Sequence, residues 1–288
     1  MPSFKACKWL FFLLFSTASL AAVEQYNLAL CAIFRDDKSY LKEWIEFHRL
    51  LGVEHFYLYN HLSIDHPEEV LRPYIQAGIV DLIDWPHEAP TRPEWGRVQN
   101  KAYNDALKKF GERVKWLAIL DTDEFLFPVK KDNLQDFLKD FEAFGGVGVN
   151  WQCYGTSHVA KIPPGKQMIE MLIYKIGTHA NVNKTIKSIV QPKYVDRISG
   201  PHFATYKNGY SQVNSNREPF KGPFAPYVVI DQIRINHYWT RDEHFFYKCK
   251  LTSLKRRGCP DIAAHENTAK QLNQEIDVSI SRFIPLLR

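Results

Sequence analysis

The sequence predicts an α/β fold built on a mostly parallel central sheet. Three observations carry that prediction. Short apolar runs alternate with segments of helical periodicity, glycines close the helical segments, and the apolar runs end in polar clusters. Over 288 residues, a hydrophobic content of 45% supplies a sizeable core and a charged content of 24% is ordinary, which excludes a disordered or fibrous chain. The net charge of +5 comes from scattered basic residues, and Lys255-Arg256-Arg257 is the one compact cluster. That distribution reads as solvated surface or a local phosphate or membrane contact, and it implies no nucleic-acid partner.

Residues 27–34 form a continuous apolar run, as expected of a strand buried on both faces. After the polar break at Arg35-Asp36-Asp37, residues Leu41, Trp44, Ile45, His48 and Leu51 recur at helical spacing, and Gly52 stops the pattern. Residues 53–59 predict a second strand. Pro67 stands at a first helical position before Glu68, Glu69, Val70 and Leu71, and Gly78 ends that helix. Residues 79–83 predict a third strand. Residues 94–110 carry Trp95, Val98, Ala102, Ala106 and Leu107 on one helical face, closed by Gly111. A fourth strand over 114–120 runs into Asp121-Thr122-Asp123-Glu124.

The second half is less regular. Asp132 is expected to cap a helix through Phe141, and strands are expected over 146–151, 186–190 and 228–238. Residues 241–258 and 266–284 predict helices. With no linker, repeat or low-complexity tract, residues 23–288 read as one catalytic domain. Residues 1–22 stand apart. Lys5 and Lys8 precede an apolar run that ends near Ser19-Leu20-Ala21, the layout of a signal peptide or a short signal anchor. This predicts an exported protein of the secretory pathway, with membrane association through that segment. Five cysteines include no Cys-x-x-Cys pair, so no zinc site is expected. Cys249 and Cys259 are near enough in sequence to pair in an oxidising compartment, whereas Cys31 reads as a buried thiol.

In open sheets of this kind ligands bind beyond the carboxyl ends of the strands, so the polar clusters there are the candidate site. Asp121 and Asp123 are the strongest signal. Residues i and i+2 of an extended segment face one side, and two carboxylates there can grip a hard divalent cation that bridges to a diphosphate. They follow a buried strand, where unpaired carboxylates would be costly. His237, in Asn236-His237-Tyr238, could add an imidazole ligand or serve as a hydrogen-bonded core residue. Lys184 or Lys187 could offset the charge of a departing diphosphate, or simply face outward from a surface strand.

The residues resemble glycosyltransferase family 92, within the wider GT-A set. The resemblance rests on residues 40–60 (YLKEWIEFHRLLGVEHFYLYN), Val70-Leu71-Arg72-Pro73-Tyr74-Ile75, Trp85-Pro86, residues 116–125 (WLAILDTDEF), residues 187–192 (KSIVQP) and Ile235-Asn236-His237-Tyr238, and it spans about residues 27–250. It implies a GT-A-type nucleotide-binding sandwich with an acceptor-binding second half. It also implies inverting transfer of a sugar, often galactose from UDP-galactose, to a glycan or other hydroxyl acceptor. Manganese, or magnesium, is the implied ion, with Asp121, Asp123 and His237 as its ligands. By position, Arg35, Asp36, Asn60 and Asp65 lie where such enzymes hold the nucleoside, and Gln99 faces that pocket. Two departures stand out: Arg35-Asp36-Asp37 where the family often has Asn-Glu, and a 153–158 block poorer in glycine and serine. The base that deprotonates the acceptor is sought among Glu218, in a Pro/Gly-rich loop, and Asp231. A metal-dependent phosphoester hydrolase would need a denser ligand set for two ions. A non-catalytic carbohydrate-binding protein would use the abundant Trp and Tyr for sugar stacking instead of packing.

Overall fold

The computed structural model describes residues 24–287. The leader expected over residues 1–22 lies outside them. Among the described residues no helix is long and apolar enough to cross a membrane.

The first half alternates as the periodicity requires: β1 (Tyr26–Phe34), α1 (Lys38–Leu50), β2 (His55–Asn60), α2 (Glu68–Gln76), β3 (Val80–Asp84), α3 (Arg92–Phe110) and β4 (Val114–Ile119). Then come β5 (Glu124–Pro128), α4 (Leu134–Leu138), β6 (Gly146–Cys153), α5 (Met168–Met171), β7 (Tyr174–Lys175) and β8 (Ile186–Val190). Four short strands follow: β9 (Val195–Ile198), β10 (Ala204–Tyr206), β11 (Gln212–Val213) and β12 (Pro219–Phe220). The chain closes with β13 (Ile233–His237), a π-helical turn (Phe245–Lys250), α6 (Leu251–Arg256), α7 (Ile262–Gln271), β14 (Glu275–Ile276) and a 3-10 segment (Ser279–Leu286).

The main sheet has ten strands in the order β12-β11-β6-β8-β4-β1-β2-β3, with β13 joining β5 to β6. Pairs β1–β2, β1–β4 and β2–β3 are parallel, while β8 lies antiparallel between β4 and β6. β1 is buried on both faces, which explains its unbroken apolar run. Leu28, Leu30, Ala32 and Phe34 join the core beneath α1, whereas Ala29, Cys31 and Ile33 join the core beneath α3. Across the first core, His48 of α1 donates from Nδ1 to the Trp44 carbonyl at 2.8 Å and accepts from the Leu126 N–H at Nε2, 3.2 Å away. Burial pushes its pKa down to about 3, so it is a neutral strut between α1 and β5.

Several expectations are corrected in the second half. Asn133, not Asp132, caps α4, accepting from the Gln135 N–H at 2.7 Å. The strand expected over 228–238 begins only at Ile233, because its partner β5 ends opposite it at Pro128. The helix expected over 241–258 is interrupted: Arg241 takes a left-handed φ of 49°, and a π turn precedes α6. The segment expected as a helix over 266–284 leaves α7 at Gln271 so that β14 can pair with β7. Cys249 and Cys259 are unbonded, and Cys259 Sγ instead sits 3.2 Å from His265 Nε2.

Candidate active site

A cleft of 1420 Å³ opens beyond the carboxyl ends of the parallel strands, and Asp121, Thr122, Asp123 and His237 line it. The Asp-Thr-Asp loop links β4 to β5. His237 ends β13, whose register sets it opposite Glu124 at the start of β5. The loop is therefore anchored on both sides, and the Tyr238 N–H donates to the Asp123 carbonyl at 2.8 Å.

The two aspartates have different surroundings. Asp121 Oδ2 accepts from Lys187 Nζ at 2.7 Å, and its Oδ1 accepts from Gln99 Nε2 at 3.1 Å and Tyr103 Oη at 3.3 Å. Lys187, fully buried on β8, also lies 3.3 Å from Glu124 Oε2. Burial opposes its charge, but Asp121 and Glu124 outweigh burial and raise its pKa. Burial pushes Glu124 well above the usual carboxylate range despite Lys187, and its Oε1 is buried without a partner. Lys187 is thus spent beneath the cleft floor, not offered to a ligand, which corrects its expected role as a free phosphate cation.

Asp123 has other partners. Its Oδ1 stands 3.6 Å from His237 Nε2 and its Oδ2 3.6 Å from Lys250 Nζ. Burial would raise its pKa, but Lys250, His237 and Arg241 together hold it well below the usual range. Among the described residues no three His, Cys, Asp or Glu side chains form a ready-made metal cage. What the floor presents is one carboxylate and one imidazole at a spacing too long for a hydrogen bond. That donor set fits a hard divalent ion that takes its remaining ligands from phosphate oxygens and water. The expected grip of Asp121 and Asp123 together on one ion is not what the side chains present, because Asp121 is committed to Lys187.

A second tie holds the loop from behind. Asp37 sits at the N-cap of α1 yet makes no capping bond. Its Oδ2 accepts from Thr122 Oγ1 at 2.5 Å and its Oδ1 from Arg241 at 2.6 Å. The Arg241 guanidinium is held between the rings of Tyr40 and Phe245, at 3.8 and 4.3 Å. Behind His237, the Trp151 ring packs at 4.1 Å. On its other side lies His202, whose pKa is pushed down to about 4 by burial and Lys187.

Of the other sequence-predicted residues, Arg35, Asp36 and Gln99 line the cleft. Asp36 Oδ1 accepts from the Ile64 N–H at 2.7 Å, and Arg35 lies 3.5 Å from Asp36. Asn60 and Asp65 do not line it. Asn60 Oδ1 accepts from the Ser63 N–H at 3.2 Å, and Asp65 Oδ2 accepts from the Lys38 N–H at 2.7 Å, so both shape the loop after β2. Glu218 and Asp231 are also off the cleft, which corrects their choice as the base. Glu218 is exposed in the β11–β12 turn, bonded to Asn214 and Tyr227, and Asp231 pairs with Lys130 at 3.1 Å on the surface. Asp37, Arg241 and Lys250 were missed. Asp37 stands in the strand-end cluster Arg35-Asp36-Asp37, and Arg241 lies close to the Asn236-His237-Tyr238 block; those were the signals that could have pointed to them.

A family model described as Glycosyltransferase family 92 matches residues 26–221. The chain belongs to glycosyltransferase family 92. The family-matched span holds Asp121, Asp123 and Lys187, while His237 and Lys250 lie beyond it. A glycosyltransferase family 92 protein of Ricinus communis is 22% identical over 205 residues, covering 69% of this chain and 35% of its own length. Another of Oryza sativa subsp. japonica is 28% identical over 142 residues, covering 48% of this chain and 23% of its own. Galactan beta-1,4-galactosyltransferase GALS2 of Arabidopsis thaliana is 29% identical over 107 residues, covering 36% of this chain and 20% of its own. The chain thus spans 35% or less of the length of these relatives. Among solved structures, S. aureus TarS 1–349 in complex with UDP-GlcNAc is 11% identical with a TM-score of 0.40, covering 80% of this chain and 66% of that one. HddC from Yersinia pseudotuberculosis is 12% identical with a TM-score of 0.31, covering 78% of this chain and 84% of that one.

Proposed function

We propose that the chain is an inverting, metal-dependent glycosyltransferase that moves a hexose such as galactose from a uridine diphosphate sugar to a hydroxyl of a glycan. One observation carries the reading: in a family 92 chain, Asp123 and His237 face each other across the floor of a cleft at the carboxyl ends of the parallel strands. The partial likeness to a galactan galactosyltransferase supports galactose as the sugar. In our reading the leader over residues 1–22 delivers the enzyme to the secretory pathway, either cleaved or kept as a short anchor.

Asp123 and His237 would hold a manganese or magnesium ion, which when bound would supply a Lewis acid for the diphosphate. The chain's own residues do the rest. Asp37 and Arg241 fix Thr122 and so the loop that carries both aspartates. Lys187 neutralises Asp121 from below and limits the build-up of negative charge on the floor. Arg35, Asp36 and Gln99 line the same cleft, and in this reading they would face the nucleoside. The acceptor oxygen bonds to the anomeric carbon as the bond to the diphosphate oxygen breaks from the opposite face. The electron pair of that bond leaves with the diphosphate, and the acceptor proton passes to a base in the cleft.

The test is transfer from UDP-galactose to galactan oligosaccharides by the full chain, with manganese and then with EDTA. Asp123→Ala is expected to lower kcat/KM by at least about 100-fold, in the range seen when a group that stabilises transition-state charge is removed. Equal transfer by that variant and in EDTA would remove the metal from the reading. No binding or turnover of any nucleotide sugar in a donor panel would remove the reading itself.

A further inference from the structure

Lys250 is the last residue of the π-helical turn Phe245–Lys250. Such turns insert an extra residue into a helix and recur where a side chain is being aimed at a site. Here the turn brings the ammonium to 3.6 Å from Asp123 Oδ2, with the Trp239 ring 5.5 Å away as a shelf. The side chain is about a quarter exposed, so its charged end opens on the cleft while its stem is covered. Among the described residues it is the only lysine or arginine within ion-pair distance of Asp123. Lys187 is engaged by Asp121 and Glu124, Arg241 by Asp37 and Arg35 by Asp36, while Lys161, Lys248, Arg256 and Arg257 line the same cleft beyond ion-pair distance of Asp123.

Asp123 therefore lies between two partners that cannot both be kept once a divalent ion arrives. His237 is a ligand for that ion, whereas Lys250 repels it. The carboxylate exchanges an ammonium for a metal more readily if the ammonium finds another anion, and the diphosphate is the anion that a sugar-nucleotide donor brings to this spot. We propose that Lys250 is a donor-binding cation of this cleft, holding Asp123 in the unliganded enzyme and competing with the divalent ion until the diphosphate takes it over. This rests on the glycosyltransferase reading. It adds an order to it: nucleotide and ion enter as a mutually reinforcing pair, and the ion alone binds weakly.

The proposal predicts opposite effects on two affinities from one substitution. Lys250→Met keeps the stem and removes the charge. With the full chain, manganese alone is titrated by electron paramagnetic resonance, and UDP alone by calorimetry in EDTA. Lys250→Met is expected to bind manganese at least three-fold more tightly and UDP at least ten-fold more weakly than the parent, while Lys250→Arg stays near the parent in both. A purely structural lysine would weaken both together, and an idle one would change neither; either result overturns the proposal. If Lys250→Met does not fold, Lys250→Gln answers the same question. Failure of both uncharged variants to fold, judged by circular dichroism, would overturn it as well, by making the lysine a folding residue. A parent protein that binds neither manganese nor UDP even when both are present would instead sink the glycosyltransferase reading. A parent that binds both, with an indistinguishable Lys250→Met, sinks only this inference.

Discussion

Glu43 lies in the cleft wall with both carboxylate oxygens accepting backbone N–H groups, Met168 at 2.8 Å and Ile169 at 3.0 Å. Burial nonetheless raises its pKa to about 7, outweighing those bonds. The native state therefore holds this proton more tightly than the unfolded chain does. The stability it contributes is present below the unfolded pKa near 4.5 and is lost as pH climbs to about 7. The loss amounts to roughly 3 kcal/mol at most, because each tenfold difference in proton affinity between the two states is worth ~1.4 kcal/mol. Glu43→Gln is expected to flatten the change in urea midpoint between pH 5 and 7.5; an unchanged slope would assign that pH dependence elsewhere. At this scale the placement of Asp121, Asp123, His237 and Gln99 beside one cleft was legible, because a strand end and a helical face fix where such residues point, but the engagement of Asp121 by Lys187 was not. Asp37, Arg241 and Lys250 were not. A left-handed arginine and a π turn bring the last two into place, and hydrophobic periodicity records neither. Glu218 and Asp231 were misread because a Pro/Gly-rich loop suggests a site without saying which way it faces.

Gly146 opens β6, and a Cβ there would meet Tyr206 Oη at 2.3 Å and the Ile189 carbonyl oxygen at 2.8 Å. The second contact is backbone of the neighbouring β8 and cannot swing aside. Gly146→Ala is expected to cost about 1–3 kcal/mol, as overpacking does, read as a lower denaturant midpoint with unchanged slope. A midpoint equal to the parent's would show that Tyr206 and β8 give way freely. The elements from β1 to β4 were readable to within a few residues, whereas β5, which among the described residues pairs only with the remote β13, was not. A strand buried on both faces and a helix with one apolar stripe leave distinct patterns, and glycines punctuate them. The second half was harder for a physical reason. Strands of two to four residues, such as β7, β11, β12 and β14, are too short to show a period, and long-range pairing alone makes them strands.

Across the whole molecule, the α/β class and the parallel half of the sheet followed from strand–helix alternation. The antiparallel placement of β8 between β4 and β6 did not, because register across a sheet is settled by partners far apart in the chain. The same remoteness governs β13, which hydrogen-bonds to β5 on one side and β6 on the other. A chain stopped at residue 221, where the family match ends, would carry both of those strands with bare backbone donors and acceptors along one margin. Such a piece is expected to elute from size-exclusion chromatography as soluble aggregate, and residues 24–287 as one discrete species. A well-behaved 24–221 fragment would refute this. The span that marks the family and the span that supplies β5 with its partner are thus different lengths, and a growing polypeptide leaves that strand unpaired until its 237th residue is available.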